Sequence, residues 1–552
     1  MEHSSYADAV LNQCPPLPDY NLFTSDAALQ EAVQRDGAGA AAPELADAGA
    51  ELGTAAMFED ARLANCYPPV LHSFNVRGER IDSLEFHPSW HALMRGIVAR
   101  GYHAGPWERI DGRAIPGAHA ARAAGYLMQA QVESGTLCPT TMTYGAIAAL
   151  RRDPSLDLEW VPRLISREYD ARDIPIGDKH GGLIGMGMTE KQGGSDVRAN
   201  TTRAVRSADG SYRITGHKWF FSAPQCDAHL VLAQTNGGLS CFFMPRRLPD
   251  GTRNGIYIQR LKDKPGNRSN ASSEVEFVDA WGHLLGEEGR GVPTILEMGT
   301  YTRLDCVTGT AGMMRQAVVR ALHHARHRKA FGSRLIDQPL MQTVLADLAL
   351  ESEAATTLSL RLARAFDSEA PGEIALRRVL TSAAKFWVCK RGCELAAEAM
   401  EVLGGNGYTE ELPLARIARE MPVNSIWEGS GNIMCLDVLR AFGKSAATRD
   451  AVLGELAVGR GRHRNFDAAF ERFAATLGHA VNEAHARGLA QMLATLTQAS
   501  LLLGAAASPA AGAVADAFCA TRLAGEAGWG AVFGASGAAL DVAAILDRAW
   551  KE

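Results

Sequence analysis

The sequence predicts a multidomain α+β protein in which helical regions flank a small antiparallel β domain. Three observations predict this fold class. A chain of 552 residues exceeds one compact domain, short alternating runs joined by turn residues occupy its middle, and helical periodicity lies on both sides. We divide the chain into a helical N-terminal domain with an irregular arm, a β domain, a helical bundle and an extra helical domain, which cover residues 1–183, 184–292, 293–445 and 446–552.

The first domain begins with an irregular segment. Pro15, Pro16 and Pro18 forbid a helix there, because proline lacks the N–H that a helix interior requires. We therefore expect an arm that lies over another part of the protein, followed by mostly helical chain up to residue 183.

The β domain is predicted from short alternating runs separated by residues that favour tight turns. Asp209-Gly210 and Asn236-Gly237-Gly238 suit the left-handed backbone angles of hairpin turns. The candidate strands are Thr202–Ser207, Ser211–Gly216, His229–Gln234, Leu239–Met244, Ile256–Arg260 and Glu274–Val278.

The third region is predicted to be a bundle of long antiparallel helices. Its first helix is indicated by one apolar stripe with spacings of three and four residues, formed by Leu304, Val307, Ala311, Met314, Val318 and Leu322. Two more helices are predicted for Pro339–Phe366 and Glu373–Leu403, separated by Pro371-Gly372. The Ala-rich tail is expected to be helical as well. Helices, then strands, then helices exclude the alternating pattern of a doubly wound sheet.

Composition excludes several functional classes. The 56 basic and 62 acidic side chains leave a net charge of −6, which argues against a surface that binds nucleic acid generally. No apolar run approaches the roughly 20 residues that a membrane span needs, and the N-terminus does not resemble a secretory signal. The ten cysteines are scattered, which is typical of free thiols in a reducing compartment. We therefore expect a cytoplasmic protein that is not a membrane protein.

Common catalytic and binding motifs are missing from the sequence. There is no GxGxxG, no HExxH and no GxSxG. His323, His324 and His327 include a pair four residues apart that could hold a metal ion. Because basic residues are interleaved with them, we interpret this segment as a solvated basic helix end and predict no metal site.

Three segments stand out as candidate functional sites. The first, Gly185–Val197, is a glycine-loosened loop with a hydroxyl and two carboxylates, which can wrap a planar polar ligand. The second, Arg328–Gly332, places a cation beside an aromatic ring, which suits a pyrophosphate or an adenine. The third joins Glu401–Tyr408 to Ile426–Asn432, where Glu428 follows a tryptophan in an apolar setting that suits a general base.

Each of these segments also has a purely structural interpretation. The first can be a connector whose Ser195 and Asp196 cap turns, and the second can be a basic last helical turn followed by a glycine stop. Glu428 and Ser430 can simply cap the next helix, because acids and serine favour that position. Taken one at a time, the segments leave these alternatives open.

Taken together, in this order and with this spacing, the three segments resemble the acyl-CoA dehydrogenase family of flavoproteins over about residues 180–442. Met186–Val197 and Met421–Leu439, with the long N-terminal region and the extra tail, resemble its AidB branch, which belongs to the bacterial adaptive response to DNA alkylation. The resemblance implies a helical N-domain, a central β-barrel, a C-terminal helical bundle, bound FAD and a homotetramer.

The resemblance also implies which residues act. Glu428 would be the catalytic base; some members carry the base on the first bundle helix, but the match places Thr302 there, so Glu428 is the only candidate of the two. Glu428 would take a proton from the α-carbon of an acyl thioester while the β-carbon gives a hydride to flavin, with the Glu428 N–H polarising the thioester carbonyl. The implied FAD-binding residues are Met188, Thr189, Gly194, Ser195, Phe220, Phe221, Ser222, Trp427, Gly429, Ser430 and Asn432, together with Gly405 and with Arg328 and Phe331 of a neighbouring subunit.

The implied reaction is the α,β-dehydrogenation of a short branched acyl-CoA, such as isovaleryl-CoA, linked to protection of DNA from alkylation. The alternative is a DNA-binding protective flavoprotein with little or no dehydrogenase activity. In the AidB branch the extra domain is implicated in binding double-stranded DNA, yet residues 441–552 carry ten basic and ten acidic side chains. Arg460, Arg462 and Arg464 form the local concentration of cations that could neutralise phosphates. The acyl chain and the electron acceptor stay open.

Overall fold

A computed structural model describes residues 10–479, 481–524, 532–535 and 539–551. Its N-terminal part is mainly helical, as predicted, and also contains two short hairpins that the sequence analysis missed. The elements are α1 (Ala27–Arg35), α2 (Ala42–Leu52), α3 (Ala55–Cys66), β1 (Val70–Phe74), β2 (Arg80–Glu85), α4 (Pro88–Ala99), β3 (Arg109–Ile110), β4 (Arg113–Ala114), α5 (Ala118–Val132), α6 (Leu137–Leu150), α7 (Pro154–Glu159) and α8 (Val161–Leu164).

The predicted arm precedes α1 and lies over the bundle. Tyr20 donates a hydrogen bond from its hydroxyl to Gln316 at 2.7 Å, and Pro15 O lies 2.9 Å from a ring nitrogen of His323. The arm therefore covers the C-terminal half of the first bundle helix, where the sequence analysis expected solvent.

The middle of the chain forms one sheet with strand order β10-β11-β9-β8-β5-β7-β6. A further pairing of β11 with β7 closes the sheet into a barrel, and β5 runs parallel to β8. The barrel confirms the β domain and its hairpins; Gly210 and Gly238 have φ of +86° and +113° at their turns. The strands are β5 (Ile184–Thr189), β6 (Arg203–Arg206), β7 (Tyr212–Ser222), β8 (Ala228–Thr235), β9 (Gly238–Pro245), β10 (Ile256–Leu261) and β11 (Ser272–Leu285).

One strand of the barrel contradicts the sequence analysis. Gly185–Thr189, which was expected to belong to a glycine-loosened loop, is part of strand β5, which lies between β7 and β8. Its glycines allow this close packing: a Cβ on Gly187 would come within 2.3 Å of the Phe221 ring. The loop therefore begins only at Glu190.

The bundle is built around one long helix, α9, which contacts α5 and α6 on one side and α10 and α11 on another. All six residues of the predicted apolar stripe are buried in it, so the prediction is confirmed, although the helix starts well before the stripe. The bundle elements are α9 (Gly291–His327), β12 (Lys329–Ala330), β13 (Ser333–Arg334), α10 (Pro339–Arg364), α11 (Pro371–Val402), α12 (Pro413–Ile426) and α13 (Gly431–Lys444).

The tail is helical, as predicted, and packs onto the rest of the protein. The indole N–H of Trp387 in α11 donates to Gln498 of the tail at 3.2 Å, and the buried Trp550 lies edge-on to Tyr20 of the arm. Its helices are α14 (Ala446–Leu456), α15 (Arg464–Leu477), α16 (Ala486–Gly504), α17 (Pro509–Arg522) and α18 (Val542–Ala549). Among the described residues, we find no helix with the length and apolar character needed to cross a bilayer.

Candidate active site

Glu428 stands on a turn between α12 and α13. Its backbone is left-handed, with φ of +58°, a conformation that costs a non-glycine residue about 1–3 kcal/mol. Its carboxylate accepts a hydrogen bond from the hydroxyl of Thr302 at 2.6 Å, and Thr302 is completely buried in α9. The two positions that the resemblance implies for the base are therefore adjacent here, with the hydroxyl of Thr302 donating to the carboxylate of Glu428.

The carbonyl oxygens of this turn are held from two different helices. Arg303 of α9 donates from Nε to Glu428 O at 3.0 Å, and Lys385 of α11 donates from Nζ to Gly429 O at 2.6 Å. Both bonds come from charged donors, which make the stronger class of hydrogen bond. They hold the backbone in its strained conformation and so fix the direction of the carboxylate.

Asp437 of α13 binds Arg303, one of the two donors to this turn. It accepts two hydrogen bonds from Arg378, at 2.7 and 2.6 Å, and one from Arg303 at 3.4 Å. Burial alone would raise the pKa of Asp437, but the hydrogen bonds from Arg378 and the charges of both arginines outweigh burial and lower the pKa. Asp437 therefore stays ionised and keeps Arg303 in place.

The helix-cap interpretation of this segment is wrong in its main point. Ser430 is the N-cap residue of α13, yet within the described chain its side chain makes no capping hydrogen bond. The Glu428 carboxylate turns toward Thr302 in α9 instead. Because neither side chain caps α13, capping does not explain the presence of these two residues.

The barrel presents a second set of candidate residues beside the first. β5 pairs with β7 so that Thr189 lies opposite Phe220 and Met186 opposite Ser222. Met188 and Trp427 pack against one apolar cluster that includes Cys138. Burial raises the pKa of the Cys138 thiol, the charge of Glu428 adds to that rise and the hydrogen bond with Ser222 opposes it, so Glu428 and Ser222 both lie near Cys138. The end of β7, the end of β5 paired with it and the Glu428 turn are therefore close together.

Phe221 is a correction to the predicted site. Its side chain is completely buried in the barrel core, with its ring centroid 4.4 Å from that of His229. Side chains alternate between the two faces of a strand, so Phe220 faces outward, 49 % exposed, while Phe221 faces inward. The side chain of Phe221 cannot line a ligand outside the barrel.

The loop after β5 is fixed by a buried ion pair. Glu190 lies 2.7 Å from Lys218 Nζ, with both side chains fully buried, and it also accepts hydrogen bonds from the backbone N–H groups of Thr201 and Thr202. Burial alone would raise the pKa of Glu190, but the Lys218 charge and these bonds lower it to about 2, while burial lowers the pKa of Lys218 to about 8. Of the two carboxylates on this loop, Glu190 is thus structural.

The Arg328–Gly332 segment is a hairpin tip and not a simple helix stop. α9 ends at His327, β12 and β13 follow as a tight hairpin, and Phe331 and Gly332 at its turn have φ of +52° and +85°. The Phe331 ring is fully exposed. A large aromatic ring held out from a turn is suited to a contact outside its own chain.

The arm connects two of the segments that were expected to bind FAD, those that contain Arg328 and Gly405. Arg328 donates from Nη1 to Asn12 O, and the side chain of Asn406, next to Gly405, donates to Gln13 at 3.1 Å. Arg328 and Gly405 therefore belong to one region of the surface, bridged by neighbouring arm residues.

These residues fit FAD. Gly193 and Gly429 have φ of +123° and +105°, which glycine adopts without strain, so the backbone can approach a ligand closely at both turns. A Cβ on Gly194 would come within 2.4 Å of the Thr189 hydroxyl. Phe220 and Phe331 offer exposed aromatic faces, on which flat flavin and adenine rings can stack. The hydroxyls expected to bind FAD are those of Thr189, Ser195, Ser222 and Ser430.

Asn432 makes a contact that links the site to the tail. It is exposed at the start of α13, and its side-chain oxygen accepts a hydrogen bond from Arg487 Nε at 2.9 Å. Arg487 belongs to α16, and its guanidinium also lies 5.6 Å from the Phe386 ring centroid in α11. The extra domain therefore touches a segment that was expected to bind FAD.

The three tail arginines lie together on one loop and the start of α15. All three are exposed, but Arg460 pairs with Glu471 at 2.9 Å and Arg462 donates to Leu503 O at 2.9 Å. The cluster therefore exists as a surface feature, with part of its charge already engaged within the chain.

The sequence analysis missed Arg303, Lys385 and Asp437, which hold the Glu428 turn. They lie up to 134 residues apart in the sequence, so no short motif joins them. One signal was available: Lys385 and Asp437 are charged residues inside apolar helical runs, and a buried charge needs a partner.

Comparison with known proteins shows which family the sequence and the fold resemble. The model for the Adaptive response protein AidB N-terminal domain matches residues 12–171, that for the acyl-CoA dehydrogenase middle domain matches 185–280, and that for the acyl-CoA dehydrogenase C-terminal domain matches 289–443. AidB of Escherichia coli strain K12 is 56 % identical over 465 residues, which cover 84 % of this chain and 85 % of AidB.

Solved structures agree with the sequence comparison. The apo form of Bd2924 has a TM-score of 0.82 at 29 % identity and covers 90 % of this chain and 100 % of its own. The Caenorhabditis elegans protein ACDH-11, solved with C11-CoA, has a TM-score of 0.82 at 26 % identity and covers 94 % of this chain and 93 % of its own. With its helical N- and C-terminal parts, its central barrel and these relatives, the chain belongs to the acyl-CoA dehydrogenase family of FAD-dependent oxidoreductases, in the branch that contains AidB.

Proposed function

We propose that this protein catalyses the α,β-dehydrogenation of a short branched acyl-CoA, with Glu428 as the base. The Glu428 turn carries the proposal: its carboxylate accepts a hydrogen bond from buried Thr302, and Arg303 and Lys385 fix the adjacent carbonyl oxygens. A base is effective when it is held in one place relative to the carbon it deprotonates. FAD, when bound, supplies the acceptor for the hydride that leaves the β-carbon.

The residues of this chain have separate tasks in the reaction. Glu428 removes the α-proton, and the electrons of that C–H bond form the double bond as the hydride departs. The Glu428 backbone N–H is suited to polarising the thioester carbonyl, because the turn is fixed in advance. Trp427 packs with Met188 against the apolar cluster that includes Cys138, so the base stands beside apolar side chains.

The test is an anaerobic titration of the purified, FAD-loaded protein with isovaleryl-CoA, a linear short-chain acyl-CoA and a long-chain acyl-CoA. Loss of flavin absorbance reports hydride transfer. We expect rapid and complete bleaching by isovaleryl-CoA and slower bleaching by the others. A fully loaded protein that none of them bleaches would contradict the proposed activity.

The role of Glu428 is tested with Glu428→Gln, which keeps the shape of the side chain and removes the base. General-base catalysis contributes about 10²–10⁴-fold, so the bleaching rate should fall by that factor. The matched control is Glu287→Gln, which alters an exposed acid just before α9 and should bleach normally. Bleaching by Glu428→Gln at the rate of the parent protein would show that another residue acts as the base.

A second function is supported by the exposed trio Arg460, Arg462 and Arg464: binding of duplex DNA by the tail. Each arginine that reaches a phosphate releases about one counterion, so log affinity falls with log salt at a slope of about −0.9 per contact. Replacing all three with alanine should weaken retention of duplex DNA and flatten the slope by up to about 2.7.

The control for the DNA experiment replaces three exposed arginines outside the tail, Arg77, Arg113 and Arg206. It makes the same change in net charge, and we expect it to keep the parent slope. Salt-independent retention, or equal losses in both triple variants, would remove the tail from the DNA proposal. Strong salt-dependent binding without flavin bleaching would favour the DNA-binding alternative over the dehydrogenase.

We also propose that the protein is a homotetramer. The Phe331 ring is fully exposed at a hairpin tip and is therefore accessible to a neighbouring subunit. In a homotetramer it would reach the FAD of a neighbouring subunit, together with Arg328. Light scattering on the purified protein tests this: a mass of about one chain would contradict it.

A further inference from the structure

Three donor side chains meet where the arm crosses the C-terminal end of α9. Cys14 of the arm and His323 and His327 of α9 each offer one metal-ligand atom, and these atoms lie within 4.8 Å of one another. The two imidazole rings are four residues apart on one helix face, with centroids 4.5 Å apart. The sequence showed only the histidine pair; the fold adds the thiol from more than three hundred residues away.

Each of the two imidazoles makes a hydrogen bond to a backbone carbonyl. His323 Nε2 lies 2.9 Å from Pro15 O, and His327 Nδ1 lies 2.9 Å from His323 O. A carbonyl oxygen only accepts, so each of these nitrogens carries the proton and the lone pair of each neutral ring lies on its other nitrogen. A histidine that binds a metal commonly donates its second ring N–H to a backbone carbonyl in this way, which fixes tautomer and orientation.

The local electrostatics permit a cation despite the basic residues nearby. His327 is the last residue of α9, and the C-terminal end of a helix carries partial negative charge. Arg326 donates from Nη2 to Trp550 O, and Arg328 donates from Nη1 to Asn12 O. Both guanidinium groups thus direct N–H groups to backbone carbonyls. Arg320 of α9 is a third cation near Cys14, and the cysteine thiolate would offset its charge.

We propose that Cys14, His323 and His327 bind one Zn²⁺ ion, with water as the fourth ligand. One thiolate and two imidazoles suit this ion, which is usually tetrahedral in proteins. With Zn–S of about 2.3 Å and Zn–N of about 2.0–2.1 Å, the ligand atoms of such a site lie about 3.3–3.6 Å apart, so donors up to 4.8 Å apart close by up to about 1.5 Å through side-chain rotation. The Cys14 thiol releases its proton to solvent as the ion binds.

The position of the cluster determines how an ion reaches the donors and which segments the bound ion would join. Cys14 and His323 line a cavity of about 740 Å³, through which a hydrated ion can reach the donors. The ion would join the arm to α9 beside Asn12 and Gln13, which contact Arg328 and Asn406. Zinc binding at this cluster does not depend on the proposed function. The further role of the ion, which is to hold the FAD-binding segments together, rests on that proposal.

The test uses the full-length, tag-free, FAD-loaded protein, treated with chelator and then titrated with Zn²⁺ alone. Elemental analysis gives the zinc content after dialysis, and calorimetry gives the affinity. We expect one Zn²⁺ per chain. Loss of an outer hydrogen bond weakens metal binding by about 10–100-fold, so loss of a ligand in Cys14→Ser or His327→Gln should weaken it by at least about 100-fold.

Two matched variants keep the result specific. Cys66→Ser changes an exposed thiol that lines the same cavity, and His485→Gln changes an exposed histidine of the tail; both should bind zinc as the parent does. Circular dichroism and thermal melting establish that every variant is folded. A folded parent without zinc affinity, or equal affinity in the parent and the two ligand variants, would overturn the proposal.

Discussion

Thr302→Val isolates the hydrogen bond that orients the proposed base. Valine keeps the shape of this completely buried side chain and removes the hydroxyl that donates to Glu428 at 2.6 Å. Without this bond the carboxylate is no longer held in one direction, and misplacing a catalytic group by about 1 Å can cost about 100-fold in rate. The rate of flavin reduction by acyl-CoA should therefore fall by about 10- to 100-fold. Anaerobic stopped-flow absorbance measures that rate directly.

The same experiment separates positioning from binding and from folding. Thr302 acts through Glu428, so the reduction rate should fall while the dissociation constant of acyl-CoA stays near that of the parent. Thr302→Ser keeps a hydroxyl and should restore most of the rate. Thr308→Val is the matched control, because Thr308 is equally buried in α9 and bonds only its own helix, at Leu304 O. A parent-like rate in Thr302→Val, or an equal loss in Thr308→Val, would refute the reasoning.

Three further predictions concern stability and cofactor binding. Glu190→Gln leaves Lys218 buried without its partner and should lower the free energy of unfolding by about 3–5 kcal/mol; urea titration measures this, and adding Lys218→Met should recover much of the loss. Phe331→Ala removes a fully exposed ring, so it should weaken FAD retention by up to about tenfold, measured as flavin per chain, without lowering the melting temperature of the apoprotein. Burial raises the pKa of Asp367 from 3.8 to about 6, so the folded state binds the proton more tightly and stability falls as pH rises through this range. Asp367→Asn should therefore melt at a higher temperature than the parent above about pH 6 and at the same temperature below about pH 4; a difference independent of pH would exclude this carboxyl as the cause.

The sequence predicts those parts of the fold whose signals are local. The apolar stripe from Leu304 to Leu322 predicts α9 because one helix face packs against several neighbours. Asp209-Gly210 predicts the β6–β7 hairpin because few residues tolerate its backbone angles. The β1–β2 hairpin was missed because its strands are short and largely exposed, which leaves no buried alternation to detect.

Strand β5 shows where local signals fail. Gly185, Met186, Gly187 and Met188 have low strand propensity, yet they form a strand because β7 and β8 pair with it on both sides. Prediction of the candidate site from the sequence has the same limit. Its motifs could be found in the sequence, whereas the residues that fix Glu428 come from α9, α11 and α13 and become neighbours only after folding.

The two proposed functions are not structurally independent, because the tail touches the proposed flavin site. Arg487 of α16 holds Asn432 at 2.9 Å, and Asn432 lies four residues after Glu428 on the same turn and helix. Trp387 and Gln498 join α11 to α16 as well, and α11 also supplies Lys385 to Gly429. A partner that displaced α16 would therefore disturb contacts on both sides of the base. For this reason the flavin content and bleaching rate of every tail variant must be measured alongside its DNA binding, since a loss of either activity has a direct structural route to the other.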